Sequence, residues 1–253
     1  PQRFRVLRLV GFQQSPNNSE WQNVVLSTIF DIFAKSIHMN TAIEYGKFYH
    51  IFNRGNNKEK LFRSEGDFLR FLQLYKIYTA PIADTYAWCL MSNHFHFCVR
   101  IKEKHEIGYL NSKNAHKNKE LKWAVQSTSQ AETYKQPKPV SQLKFMFNAY
   151  SKYFNNKYAR TGSLFEKNFE RKNIEDESYL TSLIIYINNN PVKHLYKNNP
   201  GEYLWSSYNE TLDKSSTLCD LEFLWNMFED AENFKYVHDK RIDEDAGWDD
   251  YFE

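Results

Sequence analysis

Three cysteines among 253 residues, Cys89, Cys98 and Cys219, form no CxxC pair and leave an odd count. That scarcity argues against a disulfide framework and a closed cysteine zinc site, and it suits reduced thiols in a cytoplasm, where Cys serves as a small core residue. Long apolar runs are also lacking. At 42% hydrophobic, 25% charged and a mean hydropathy of −0.70, nothing in the chain is long enough to cross a bilayer, and a soluble protein is expected. The start, PQRFRVLRLVGFQQ, has basic residues but no sustained apolar stretch before a small-residue cleavage site, so no secretory signal is expected. No internal repeat is found.

Charge is unevenly spread. From Cys219 to Glu253 there are twelve Asp and Glu against three Lys and Arg, a balance of −9 in a chain of net +2, so residues 1–218 carry +11. A basic body with 17 Tyr, 20 Phe and 6 Trp has the ingredients of a nucleic-acid binder, in which cations follow phosphates and rings stack on unpaired bases. The same composition also describes an ordinary solvated surface over aromatic packing, and composition does not separate the two.

Three regions are expected: an N-terminal extension (1–40), an organised body (41–210) and an acidic tail (211–253) with a short helix. The extension holds a polar stretch, FQQSPNNSEWQ, and an apolar helix in VVLSTIFDIFAKSI; Met39 is a candidate native start. In the body, FYHIFNRGNN reads as a strand entering an Asn/Gly turn. SEGDFLRFLQLYKIYT reads as a helix capped by Ser64, with apolar residues at 68, 71, 72 and 75. TYAWCLMSNHFHFCVRIK has the β-branched and aromatic bias of two strands turning near Ser92 and Asn93. Residues 102–139 are polar and predict a long connection or arm. VSQLKFMFNAYSKYFNNKYAR is helical, with Leu143, Met146, Phe147, Tyr150 and Phe154 on one side. TGSLFEKNFERKNI is turn then strand, and a second helix is expected from about Glu175 to Asn190, stopped by Pro191. This order predicts an α+β sandwich, an antiparallel sheet covered by helices.

Two groups carry chemistry. In MSNHFHFCVR the extended period of two puts His94, His96 and Cys98 on one face and Phe95, Phe97 and Val99 on the other. Imidazoles at i and i+2 are close enough to share one metal ion, and are also what two hydrogen-bonded histidines on a half-exposed strand look like. In SYLTSLIIYINNNP, Leu180, Leu183, Ile184 and Ile187 form a core face. Tyr186 and Asn190 stand one turn apart beside it, so a phenol and an amide oxygen can face the same point. A tyrosine at such a position is commonly a core residue.

The ordered set NHFHF, FNAYSKYFNNKYARTGSLFEKNFERK, YINNNPVKH and EYLWSSY, between Phe48 and Tyr208, resembles the REP-associated tyrosine transposases, a bacterial branch of the single-tyrosine HUH transposases. The resemblance implies a ferredoxin-like or RRM-like antiparallel sheet with packed helices. It implies that His94 and His96 bind a divalent cation, that Tyr186 attacks DNA and that Asn190 is a third ligand. The partner it implies is single-stranded or hairpin repeat DNA, cleaved through a 5′-phosphotyrosine and rejoined, by a monomer or a homodimer in a bacterial cytoplasm.

The chemistry agrees with these residue types. A phenol near pKa 10 is a poor nucleophile at neutral pH until a cation polarises the phosphate and the proton is lost. Two imidazoles and an amide oxygen form a mixed N/O site suited to Mg²⁺ or Mn²⁺. From Lys144 to Lys172 seven basic residues meet two Glu, interleaved with aromatics, which suits single strands. The DNA-binding candidates are Arg54, Lys152, Tyr153, Arg160, Lys167, Arg171 and Lys172. Tyr150, Tyr153 and Tyr158 are rival nucleophiles, of which Tyr150 fits the core. The competing functions are a regulator that binds hairpins without cleaving and, more remotely, a metal-dependent hydrolase of another substrate.

Overall fold

The computed structural model describes residues 42–111, 123–124, 134–166 and 168–243. The expected N-terminal extension, Lys167 and residues 244–253 lie outside them. Four strands build the central sheet: β1 (Phe48–Arg54), β2 (Ala83–Leu90), β3 (His94–Ile101) and, numbering in chain order past a smaller sheet, β7 (Glu170–Ile174). Their spatial order is β2-β3-β1-β7 with every neighbouring pair antiparallel. With α1 (Glu65–Tyr78) after β1 and α2 (Pro139–Lys157) after β3, this is the ferredoxin-like α+β arrangement.

Alternation along β3 sorts the two faces. Phe95 and Phe97 meet α1 and α2: Phe71 lies 5.2 Å from Phe95, Tyr75 stacks on Phe97 at 4.1 Å, and Phe147 packs on Phe95 at 5.4 Å. Each such ring, fully buried, contributes about 2–3 kcal/mol. Tyr150 is fully buried, and its hydroxyl donates to the Leu61 carbonyl at 2.6 Å, the core role its spacing implied.

The opposite face, with His94 and His96, is covered by α3 (Glu177–Lys193), which Asp176 caps by accepting the Tyr179 amide at 2.7 Å. Pro191 does not stop this helix at Asn190 as the sequence suggested. Proline removes one donor within the final turn, so the helix closes at Lys193, and the His194 amide donates to the Asn190 carbonyl at 3.0 Å.

The EYLWSSY stretch covers the outer edge of β2. The Leu90 amide donates to the Trp205 carbonyl, the Trp88 amide to Ser207 Oγ, and Tyr203 Oη to the Leu90 carbonyl. An edge strand is thereby shielded from further pairing.

Two expectations change. The polar stretch 102–139 carries a three-stranded antiparallel sheet of β4 (Tyr109–Asn111), β5 (Trp123–Ala124) and β6 (Tyr134–Lys135), whose strands are too short to show a period in sequence. The acidic C-terminal region carries, beyond α4 (Ser207–Leu212), two helices, α5 (Leu221–Phe228) and α6 (Ala231–Asp243). Leu224, Phe228, Phe234 and His238 are buried, and Asn189 Nδ2 of α3 donates to the His238 carbonyl at 2.8 Å. Among the described residues no helix is long and apolar enough to cross a membrane.

Candidate active site

The histidine face is a polar layer beneath a helix. His96 and Asn190 are almost fully buried and His94 half-buried. The Tyr186 ring stands edge-on to His96, with centroids 5.7 Å apart, and edge-on to His50 at 6.4 Å. One turn further along α3, Asn190 Oδ1 lies 3.3 Å from His94 Nε2. The structure thus brings together His94, His96, Tyr186 and Asn190 from a strand and a helix 96 positions apart at the closest pairing.

Ring protons decide what this geometry can do. His94 Nδ1 lies 2.8 Å from Asn93 Oδ1 and Nε2 3.3 Å from Asn190 Oδ1; both partners are acceptors, so a neutral ring with one N–H donates to one of them and keeps a lone pair on its other nitrogen. His96 Nδ1 shares a proton with His50 Nε2 at 2.9 Å. His96 Nε2 and Asn190 Nδ2 are buried and have no hydrogen-bond partner, an expensive condition in a folded core. Burial pushes the His96 pKa well below its usual value, and His50, His94, His194 and Lys193 push it further down. His50 is lowered by burial and then by Lys172. Both rings are therefore neutral at neutral pH and keep lone pairs available.

Sequence reasoning missed His50, Lys193 and His194. His50 is a lone polar residue in an otherwise apolar strand core; pairing of β1 with β3 puts it on the histidine face, opposite Cys98. Lys193 Nζ is buried and sits 4.5 Å from the Tyr186 ring centroid. The His194 ring is edge-on to His94 at 5.1 Å. Both follow Tyr186 at helical spacing, a signal present in YINNNPVKH.

The predicted DNA-binding residues are split between the faces. Arg54 pairs directly across from His94 and Lys172 across from His50, so both flank the polar layer. Arg54 makes an exposed ion pair with Glu166 at 2.8 Å, and Lys172 lies over the Phe52 ring. Arg171 points to the other face, in register with Ile51 and over Phe169. Lys152 is exposed on α2. Tyr153 and Arg160 are engaged internally: Tyr153 Oη donates to Asp67 at 3.2 Å, and Arg160 Nε bonds both Glu59 oxygens at 3.0 and 2.8 Å.

No protein-family model matches the chain, and no curated protein sequence is similar to it. A solved structure of a REP-associated tyrosine transposase bound to a REP hairpin is similar, with 13% identity, 72% of this chain and 90% of that one covered, and a TM-score of 0.43.

Proposed function

We propose that this protein is a metal-dependent, single-strand-specific DNA transesterase that binds hairpin repeat DNA, cleaves beside it through a 5′-phosphotyrosine and rejoins ends. The observation that carries this reading is the Tyr186 ring edge-on to His96 while Asn190, one turn on, faces His94 Nε2. This arrangement puts a phenol, a possible nucleophile, beside imidazole nitrogens and an amide oxygen that could hold a cation.

The donor set fits a divalent cation. His96 Nε2 is a buried lone pair with no partner when its Nδ1 keeps the proton shared with His50, and His94 Nε2 and Asn190 Oδ1 converge to 3.3 Å beside it. His94, His96 and Asn190 would hold Mg²⁺ or Mn²⁺, with His50 orienting His96 from behind. Such a cation draws charge from the scissile phosphate. Tyr186 Oη attacks phosphorus as its proton is lost, the bond to the 3′ oxygen breaks, and that oxygen leaves as a hydroxyl. One P–O bond forms and one breaks, so rejoining needs no ATP.

The test is covalent capture. The full chain is incubated with labelled single-stranded repeat DNA and Mn²⁺, and peptides of any adduct are mapped. Tyr186→Phe deletes one oxygen and should abolish the adduct while retaining hairpin binding. DNA on another residue overturns the nucleophile, and no adduct under any metal favours the non-cleaving regulator.

A further inference from the structure

The end of α3 holds a side chain that neither packing nor backbone preference accounts for. The His194 amide donates to the Asn190 carbonyl at 3.0 Å, the Leu195 amide to that of Val192 at 2.9 Å and the Tyr196 amide to that of Pro191 at 2.9 Å, a Schellman closure with Leu195 in the left-handed position. Glycine is the usual residue there, because at a φ of 58° a Cβ crowds its own backbone. Of the described non-glycine residues with positive φ, Leu195 is the one with a large apolar side chain. Core packing offsets none of the strain, since the residue is 92% exposed. A large apolar side chain held outward in a strained conformation points to contact with something outside the fold.

The leucine stands at the rim of the candidate site. The ring of its neighbour His194 is edge-on to His94 at 5.1 Å, and Tyr196 Oη is 2.6 Å from Ser92 Oγ in the turn that leads into His94. Tyr196, itself exposed, meets Tyr203 at 6.2 Å, and Leu204 after it is 76% exposed, so the apolar surface continues past the leucine. Lys197 and Asn198 follow, both exposed, and the exposed Arg54 pairs across from His94 on β1. An apolar and phenolic surface with an ammonium and an amide beside it matches a nucleotide, whose base has a flat face and polar edges and whose phosphate is anionic. Resting on the reading of Tyr186, His94 and His96 as a strand-cleaving centre, we propose that Leu195 and Tyr196 are a stacking ledge for the unpaired base next to the scissile phosphate, with Lys197 on the adjoining phosphate.

The experiment measures, by fluorescence anisotropy without divalent metal, binding of the full chain to a labelled ten-residue oligothymidylate and to the same backbone with every base replaced by an abasic site. Leu195→Gly and Leu195→Asn suit the left-handed backbone, so both should melt at or above the parent temperature. Both should nonetheless weaken binding of the thymidylate about tenfold and leave the abasic strand unchanged, while Leu195→Met binds as the parent. Lys197→Gln should weaken both strands alike and flatten the salt dependence. Parental binding of the thymidylate by Leu195→Gly, or an equal loss on both strands, overturns the ledge and leaves the cleaving centre standing. A lower melting temperature in both Leu195 variants would give the leucine a role in the fold and overturn it too. Self-association lost in Leu195→Gly during sedimentation, with strand binding unchanged, would assign the surface to a second copy instead. A parent chain that binds neither strand overturns the single-strand reading itself.

Discussion

Asp67 and His96 are both buried polar residues, on opposite sides of one sheet, and the fold treats them differently. Asp67 accepts from the Arg63 and Ser64 amides at 2.9 Å each, from Lys157 Nζ and Tyr158 Oη at 2.7 Å each, and from Tyr153 Oη at 3.2 Å. It ties the start of α1 to the end of α2 with its oxygens fully used. His96 has one nitrogen bonded to His50 and the other buried without a partner. Satisfied networks specify structure, whereas a buried polar atom left unsatisfied costs stability and calls for a reason, such as strain, a catalytic role or a bound water or ion.

The largest effect should come from breaking the satisfied side. Asp67→Ala strips a buried cap and leaves Lys157, two hydroxyls and two amides to find water, a loss of about 4 kcal/mol in urea unfolding. A loss under 1 kcal/mol would show the cluster to be ornamental. The pH dependence has a definite sign. Burial raises the Asp67 pKa, but the bonds from Lys157, Tyr158 and the Arg63 and Ser64 amides outweigh it and bring it down to about 2 from 3.8. A folded pKa below the unfolded one means stability present above pH 4 and lost as pH falls from about 4 to 2, roughly 2.5 kcal/mol in all.

A second acid limb should appear at higher pH and report on the C-terminal helices. His238 Nδ1–H donates to the Phe234 carbonyl at 2.7 Å, and Nε2 accepts from Asn188 Nδ2 at 3.2 Å. Burial drives its pKa down to about 4, only partly opposed by the bond to Phe234. The neutral ring is therefore favoured by folding, so its stabilisation is complete above pH 6.5 and drains away towards pH 4, about 3 kcal/mol. His50 and His96, also held neutral by burial, add to this limb in parent and variant alike. Melting temperature measured against pH should show a shallower limb between pH 6.5 and 4 in His238→Gln, with the Asp67 limb below pH 4 unchanged. An unchanged upper limb would refute the role given to His238.

Local periodicity made much of this legible. Alternation in HFHFCV assigned the faces of β3, and 3.6-residue spacing assigned α1, α2, the core role of Tyr150 and the approach of Tyr186 and Asn190 to one point. What stayed hidden depends on pairing between distant segments. His50 becomes part of the site only through the β1–β3 register, and Arg54 and Lys172 flank the polar layer for the same reason. Tyr153 and Arg160 bond Asp67 and Glu59, partners that nothing in their own stretch of sequence names. The seam between α3 and α6 was equally invisible, since an acidic segment that buries Phe234 and His238 differs little in composition from one that does not.

The smallest and most discriminating comparison lies within three consecutive residues. A helix advances 100° per residue, so Asn188 and Asn190 leave α3 in different directions. Asn188 Oδ1 accepts from Ser207 Oγ at 2.7 Å and its Nδ2 bonds His238, which locks α4 and α6 to α3. Asn190 has only the 3.3 Å contact with His94, and its Nδ2 is buried without a partner. Truncating either to Ala opens a cavity of similar size, so the difference between the two variants reports the hydrogen bonds. Asn188→Ala should cost about 2 kcal/mol more than Asn190→Ala in urea unfolding, and Asn190→Ala should lose no more than about 1 kcal/mol because it also removes an unsatisfied amide. Their order should reverse in Mn²⁺ binding with DNA present: Asn190→Ala is weakened and partly rescued by excess Mn²⁺, and Asn188→Ala is close to the parent. Equal stability losses at the two positions would mean that Asn190 is a structural amide like its neighbour, and the cation site would lose its third ligand.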